Sequence, residues 1–367
     1  MGCVGSVVPD DGTVDAGESS ADAAADSAVS DSSSADQATA PTDSVDALVT
    51  DAGVADVPAT EGLPSDVRPA DVPGSDVPST CAVPCAPADR CVSGACVRSP
   101  SCPNPTERGC GAVLVPGGTF AMGETGIAAP VQPNIAVRTF VIDAYEVTVA
   151  RFRRFSAGGM PAPASIAYPL GSVAFTGRVD VPQTTRSLTP CNWSTAAATR
   201  ESLPLNCVTW WTAQAFCAWD GARLPTEAEW EFAARGRVVA GLTTPRSYPW
   251  GNNPPSTSCD LAEWNFCAGE SGGSMRAVGR FAGSGGIFDL AGNVREWTAD
   301  TYIGYADARC WGGGARTDPF CTVGTNRAYR GGSWCSPVEA QLHSSWRSGL
   351  SATSGNDFIG FRCARNP

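Results

Sequence analysis

The 367-residue chain contains no lysine and only one histidine, His343. The first absence excludes Schiff bases, lysine nucleophiles and phosphate-loop lysines. The second excludes any site that needs two imidazoles. Long apolar runs are missing too: none approaches the roughly 20 residues that cross a bilayer as a helix. Between Asp10 and Thr80 there is no aromatic residue, and between Cys3 and Cys81 no cysteine. Residues 1–80 carry sixteen acids against one arginine, whereas 81–367 carry twenty-one acids against twenty-four arginines. The net charge of −12 therefore belongs to the first eighty residues. The near-neutral remainder gives no electrostatic case for nucleic-acid binding.

What residues 1–80 do contain is almost wholly Asp, Ala, Ser, Val, Pro, Thr and Gly, with PSDV, PADV and PGSDV recurring between Pro64 and Pro78. Such a segment cannot bury enough apolar surface to offset the entropy of ordering, and its like charges repel. We expect a disordered acidic tether. The opening MGCVGS fits a myristoylation pattern at Gly2 with an acylatable Cys3. Arginine-only basic usage with abundant Ala, Gly and Pro instead suggests a GC-rich bacterial genome, where that modification is not expected. Gly2-Cys3 also resembles the end of a bacterial lipoprotein signal, with the lipid on Cys3, although the apolar region of such a signal is absent here. An ordinary N-terminus is the plain alternative. The expected location is extracytoplasmic, as an envelope lipoprotein or a secreted protein, with membrane contact only through Cys3.

Six cysteines then fall within thirty residues: Cys81, Cys85, Cys91, Cys96, Cys102 and Cys110. Without a clean C-x2-C pair, and with too few apolar residues for a core, residues 81–110 read as a disulfide module rather than a zinc site. Nine more cysteines follow: Cys191, Cys207, Cys217, Cys259, Cys267, Cys310, Cys321, Cys335 and Cys363. Proximity suggests Cys191–Cys207, Cys259–Cys267 and Cys310–Cys321. If Cys3 carries lipid, an odd number remains, and Cys335 is the leading candidate for the free thiol.

Residues 111–367 hold all eleven tryptophans, with Gly and Pro punctuating short elements. Ala112–Val115, Phe140–Ile142 and Phe358–Arg365 read as strands. Thr148 and Thr209 are placed to cap helices, the second ended by Gly221. Thr226 and Glu229 form a capping box before a helix that stops at Gly236. The pattern is an irregular, loop-rich α+β domain.

Within it VLVPGGTFAMG (113–123), FVIDAYEVTVARFRRF (140–155), LPLNCVTWWTAQAFCAWDGARLPTEAEWEFAARG (203–236), YPWGN (248–252), FDLAGNVREW (288–297), YRGGSW (329–334) and GFRCAR (360–365) occur in order. Together they resemble the sulfatase-modifying-factor, or formylglycine-generating-enzyme-like, family. The resemblance implies a C-type-lectin-like fold and, in active members, oxidation of a sulfatase cysteine by oxygen with copper held by two cysteines five positions apart after Gly-Gly-Ser. Paired thiolates suit Cu(I). Here Gly331-Gly332-Ser333 is followed by Cys335, one position early, and by no second cysteine before Arg347. Arg295 also stands where active members have the first Trp of Trp-Glu-Trp, placing a charge in the catalytic pocket.

The resemblance further implies a Cys217–Cys363 disulfide. A second family disulfide would need cysteines at Ala234 and near Ser345, and both are absent together. It implies Ca²⁺ at Asp289, Gly292, Val294 and Glu296, through side-chain oxygens and carbonyls, and at Asp260, Leu261, Glu270 and Gly272. The expected function is a diverged binding or accessory module, monomeric, with a peptide or glycan ligand. The alternatives are a copper-dependent oxidase using Cys335 with a remote cysteine, and a purely structural envelope role.

Overall fold

The computed structural model describes residues 89–92, 95–186, 189–236, 246–255, 259–267, 274–312 and 314–367. The expected tether and the cysteines Cys3, Cys81 and Cys85 lie outside the described residues. The domain begins with a hairpin, β1 (Asp89–Val92) and β2 (Ala95–Arg98). Residues 99–110, expected in the separate cysteine module, pack into the main domain instead. Asp220 accepts a hydrogen bond from the Ser101 amide, Arg154 donates to Glu107 and Arg108 donates to the Val278 carbonyl. The buried Cys102–Cys110 disulfide belongs to this layer.

Three small sheets build the domain around short helices. In the first, β6 (Phe140–Asp143) lies between β3 (Ala112–Val115) and β16 (Ala364–Arg365), antiparallel to both. The second places β5 (Ala128–Val137) between β4 (Gly118–Glu124) and β12 (Arg316–Thr317). The third runs β14 (Arg347–Ser351), β13 (Asn326–Arg330), β11 (Arg295–Thr301), β15 (Ile359–Gly360). Two hairpins complete the strands: β7 (Ser165–Tyr168) with β8 (Gly171–Ala174), and β9 (Thr185–Arg186) with β10 (Thr189–Pro190).

The expected single strand over Phe358–Arg365 is two strands in different sheets. At Gly360 an added Cβ would lie 2.5 Å from the Leu205 carbonyl, so the chain is pinched there. Beyond it Arg362 turns into the core, and Cys363 bonds Cys217 before pairing with β6 resumes.

All three helices start where the sequence places their caps. In α1 (Val149–Ala157) Thr148 accepts from the Arg151 amide, and Phe152 and Phe155 meet Phe216 of α2 (Trp210–Trp219). Thr209 caps α2, and Gly221 follows its end in the left-handed region, φ 76°. In α3 (Glu227–Arg235) the reciprocal Thr226–Glu229 bonds are both made, and Gly236 ends the helix at φ 74°. Every α3 residue is buried, acids included.

The disulfides Cys191–Cys207, Cys217–Cys363, Cys259–Cys267 and Cys310–Cys321 are all formed. Where a second bond would need cysteines, Ala234 is buried in the core and Ser345 donates to Glu124 at 2.9 Å.

Candidate functional site

Two glycine-bearing loops meet at the start of β11. The Gly292 amide donates to the Gly331 carbonyl at 2.7 Å, and the Trp334 amide to the Asn293 carbonyl at 2.8 Å. The approach requires glycine: a Cβ on Gly292 would lie 2.2 Å from the Glu263 carbonyl oxygen, and one on Gly332 2.8 Å from that of Gln341. The Ser333 amide donates to Ser336 Oγ at 2.9 Å, closing the second loop on itself.

Cys335 sits in this loop, 2% exposed, with its sulfur 3.4 Å from Ser333 Oγ. It is disulfide-bonded, and no free cysteine occurs among the described residues. The expectation of an odd thiol at Cys335 is therefore corrected. A paired thiolate site for Cu(I) needs two reduced sulfurs. Held in a disulfide, Cys335 offers no thiolate to that ion, and no oxidation step is written through it.

The first loop leads into a buried ionic centre. Glu296 receives both arms of Arg362 at 2.7 Å, and Trp230 Nε1 donates to it at 2.8 Å. Asp289, at φ 57°, accepts from the Phe281 amide at 3.0 Å and from the Gly279 amide. Glu146 accepts from Asn293 Nδ2 at 2.6 Å and from the Val294 amide at 3.2 Å. Burial, with the charges of Asp289 and Glu296 beside it, holds the Glu146 carboxyl well above the usual range; Arg362 opposes the shift. Burial also raises Asp289.

Arg362 bonds Glu296, while burial holds Glu146 and Asp289 towards their protonated forms. Asp289 and Glu296 each retain lone pairs beyond their present donors. Ca²⁺ takes oxygen ligands of this kind, and Gly292 and Val294 lie between these two acids in the chain. Among the described residues no three His, Cys, Asp or Glu side chains are gathered as a metal cluster. Of the second expected set, Asp260 is exposed and Leu261 half-buried, while Glu270 and Gly272 lie outside the described residues.

Arg295 opens β11 and is buried among aromatic rings. Its guanidinium lies 4.6 Å from the Phe358 centroid, 5.2 Å from Trp346 and 5.5 Å from Tyr329. The sequence singles out Arg295, but not its aromatic bed, nor Glu146 and Arg362 as members of the acidic centre. Those two stand inside AYEVT and GFRCAR, and only contacts across the fold reveal their roles.

Short strands, capped short helices and glycine-locked loops pinned by disulfides define a C-type-lectin-like α+β domain of the formylglycine-generating-enzyme type. The Sulfatase-modifying factor enzyme 1-like domain matches residues 99–367, and the chain belongs to that family. The match starts at residue 99, in keeping with the packing of 99–110 against the domain. A formylglycine-generating enzyme from Thermomonospora curvata is 34% identical over 302 residues, covering 72% of this chain and 96% of that protein. An inactive C-alpha-formylglycine-generating enzyme 2 from Mus musculus is also 34% identical, over 172 residues, covering 44% of this chain. That alignment spans about half the mouse protein's length, 49%. PvdO from Pseudomonas aeruginosa shares the fold, with a TM-score of 0.50, 23% identity, and coverage of 70% of this chain and 94% of that one.

Proposed function

We propose that this chain is a diverged, non-oxidising family member that acts outside the cytoplasm as a binding or accessory domain. The observation that carries the reading is the engagement of Cys335 in a disulfide, with no second cysteine before Arg347. The charge of Arg295 beside the glycine pair supports it, as does the similarity to a protein named inactive. Ca²⁺ at Asp289 and Glu296 serves as a structural ion. The ligand is a peptide or glycan, and lipid on Cys3 provides attachment to an envelope surface.

The test is mass spectrometry of a cysteine-containing sulfatase peptide incubated with copper-loaded protein and oxygen. The expected result is an unmodified cysteine. Formylglycine, lost in Cys335→Ala, would overturn the reading in favour of an oxidase. Radiolabelled lipid incorporation that survives Cys3→Ser would overturn the anchoring.

A further inference from the structure

Seven arginines are buried among the described residues: Arg151, Arg223, Arg235, Arg295, Arg330, Arg347 and Arg362. Six form ion pairs with Asp or Glu. Arg295 does not. Its Nη2 donates to the neutral Gln341 Oε1 at 3.0 Å, it is hydrogen-bonded to Tyr329, and its Nε has no partner at all. Burial, the leading cause, pushes its guanidinium below the ordinary value. Three aromatic faces offset part of that cost, since each ring quadrupole attracts a cation. They leave one donor of the planar fork, the buried Nε, without an acceptor, where a carboxylate would take two donors at once. Each of the six other buried guanidiniums among the described residues has a carboxylate partner.

The position joins this group to the paired loops. Gln341, which holds Nη2, packs its own carbonyl against Gly332. Trp346 belongs to the same segment and is only half-buried, and 8% of Arg295 itself reaches solvent. We infer that Arg295 receives the carboxylate of a peptide ligand, whose flat aromatic or amide groups stack on Trp346 and the rings beside it. The inference rests on the reading of this site as one that binds, and it names the chemical class bound.

The probe is N-acetyl-L-tryptophan, titrated into the full chain with calorimetry and with observation of the arginine Nε–H resonances. N-acetyl-L-tryptophanamide is the neutral control, and D-glucuronate tests an acidic sugar. The expected result is saturable binding of the carboxylate, a shift of one arginine Nε–H signal, and at least about tenfold weaker binding of the amide. That ratio is the usual worth of a charge-assisted hydrogen-bond pair. Arg295→Met loses binding by a similar factor.

Because Arg295 is packed, Gln341→Glu serves as the second variant. It supplies an internal carboxylate to the guanidinium, so binding is lost while the melting temperature is kept or raised. Equal binding of acid and amide, no binding by the folded wild-type protein, or binding retained in Gln341→Glu would overturn the inference. So would a preference for glucuronate over the peptide acid. Oxidation of the sulfatase peptide would overturn the non-oxidising reading without touching these titrations, so the two failures are distinguishable.

Discussion

Arg362 and Glu296 face each other as a fully buried fork, with Nη2 to Oε1 and Nε to Oε2 both at 2.7 Å. Arg362 also donates to the carbonyls of Asp143 and Phe288, so one side chain ties β6, the 288 loop and β11 together. Removing one partner strands a charge in the core. Arg362→Met is expected to lower unfolding free energy by about 3–5 kcal/mol, measured by urea denaturation. Arg362→Lys does not restore it, because an ammonium cannot bridge both oxygens. A lysine variant of wild-type stability would refute the geometric part of this account.

Calcium at Asp289 and Glu296 would bind only the folded state and stabilise it by mass action. Chelation is expected to lower the melting temperature of the wild-type protein, with re-addition of Ca²⁺ restoring it. Asp289→Asn removes one ligand charge and should abolish the restored shift. An identical melt with and without chelator counts against the ion.

The Cys217–Cys363 bond joins positions 146 apart. In the chain-entropy account, closing a loop of that length contributes about 4–5 kcal/mol. The Cys217→Ser, Cys363→Ser double variant is expected to lose that much in guanidinium unfolding at fixed pH. A loss below about 1 kcal/mol would indicate a reduced state that already holds the two segments together.

Glu124 sets an acid limb of stability. Its carboxylate lies 3.3 Å from His343 Nδ1 and accepts from Ser345 and Ser247, and these bonds, that to His343 foremost, lower its pKa from 4.5 to about 2. A folded-state value below the unfolded one means the contribution is present above about pH 4.5 and fades as pH falls through about 2. Glu124→Gln should therefore be less stable than wild type at neutral pH and converge with it towards pH 2. Parallel curves over that window would show that Glu124 is not the titrating group.

The helices were legible because their signals are local: Thr148, Thr209 and Thr226 each act on an amide within three residues. The disulfides between near neighbours were legible for the same reason. The α3 acids were not. Glu227 meets Arg330 and Arg347, 103 and 120 positions away, and Glu231 meets Arg330, so these acids are buried by partners far along the chain. The split of the last strand was hidden because the Gly360 pinch depends on Leu205, far along the chain. At the site, Arg295 stood out as a charge in an unexpected place. Its surroundings did not, since Tyr329, Trp346 and Phe358 reach it from three separate segments.

The return of Arg362, Cys363 and Ala364 to Glu296, Cys217 and Ile142 also bears on how the domain is made. A chain that stops short of residue 362 has Glu296 without its guanidinium, Cys217 unmatched and β6 open along one side. The ionic fork, the disulfide and the first sheet therefore all depend on this one stretch of three residues.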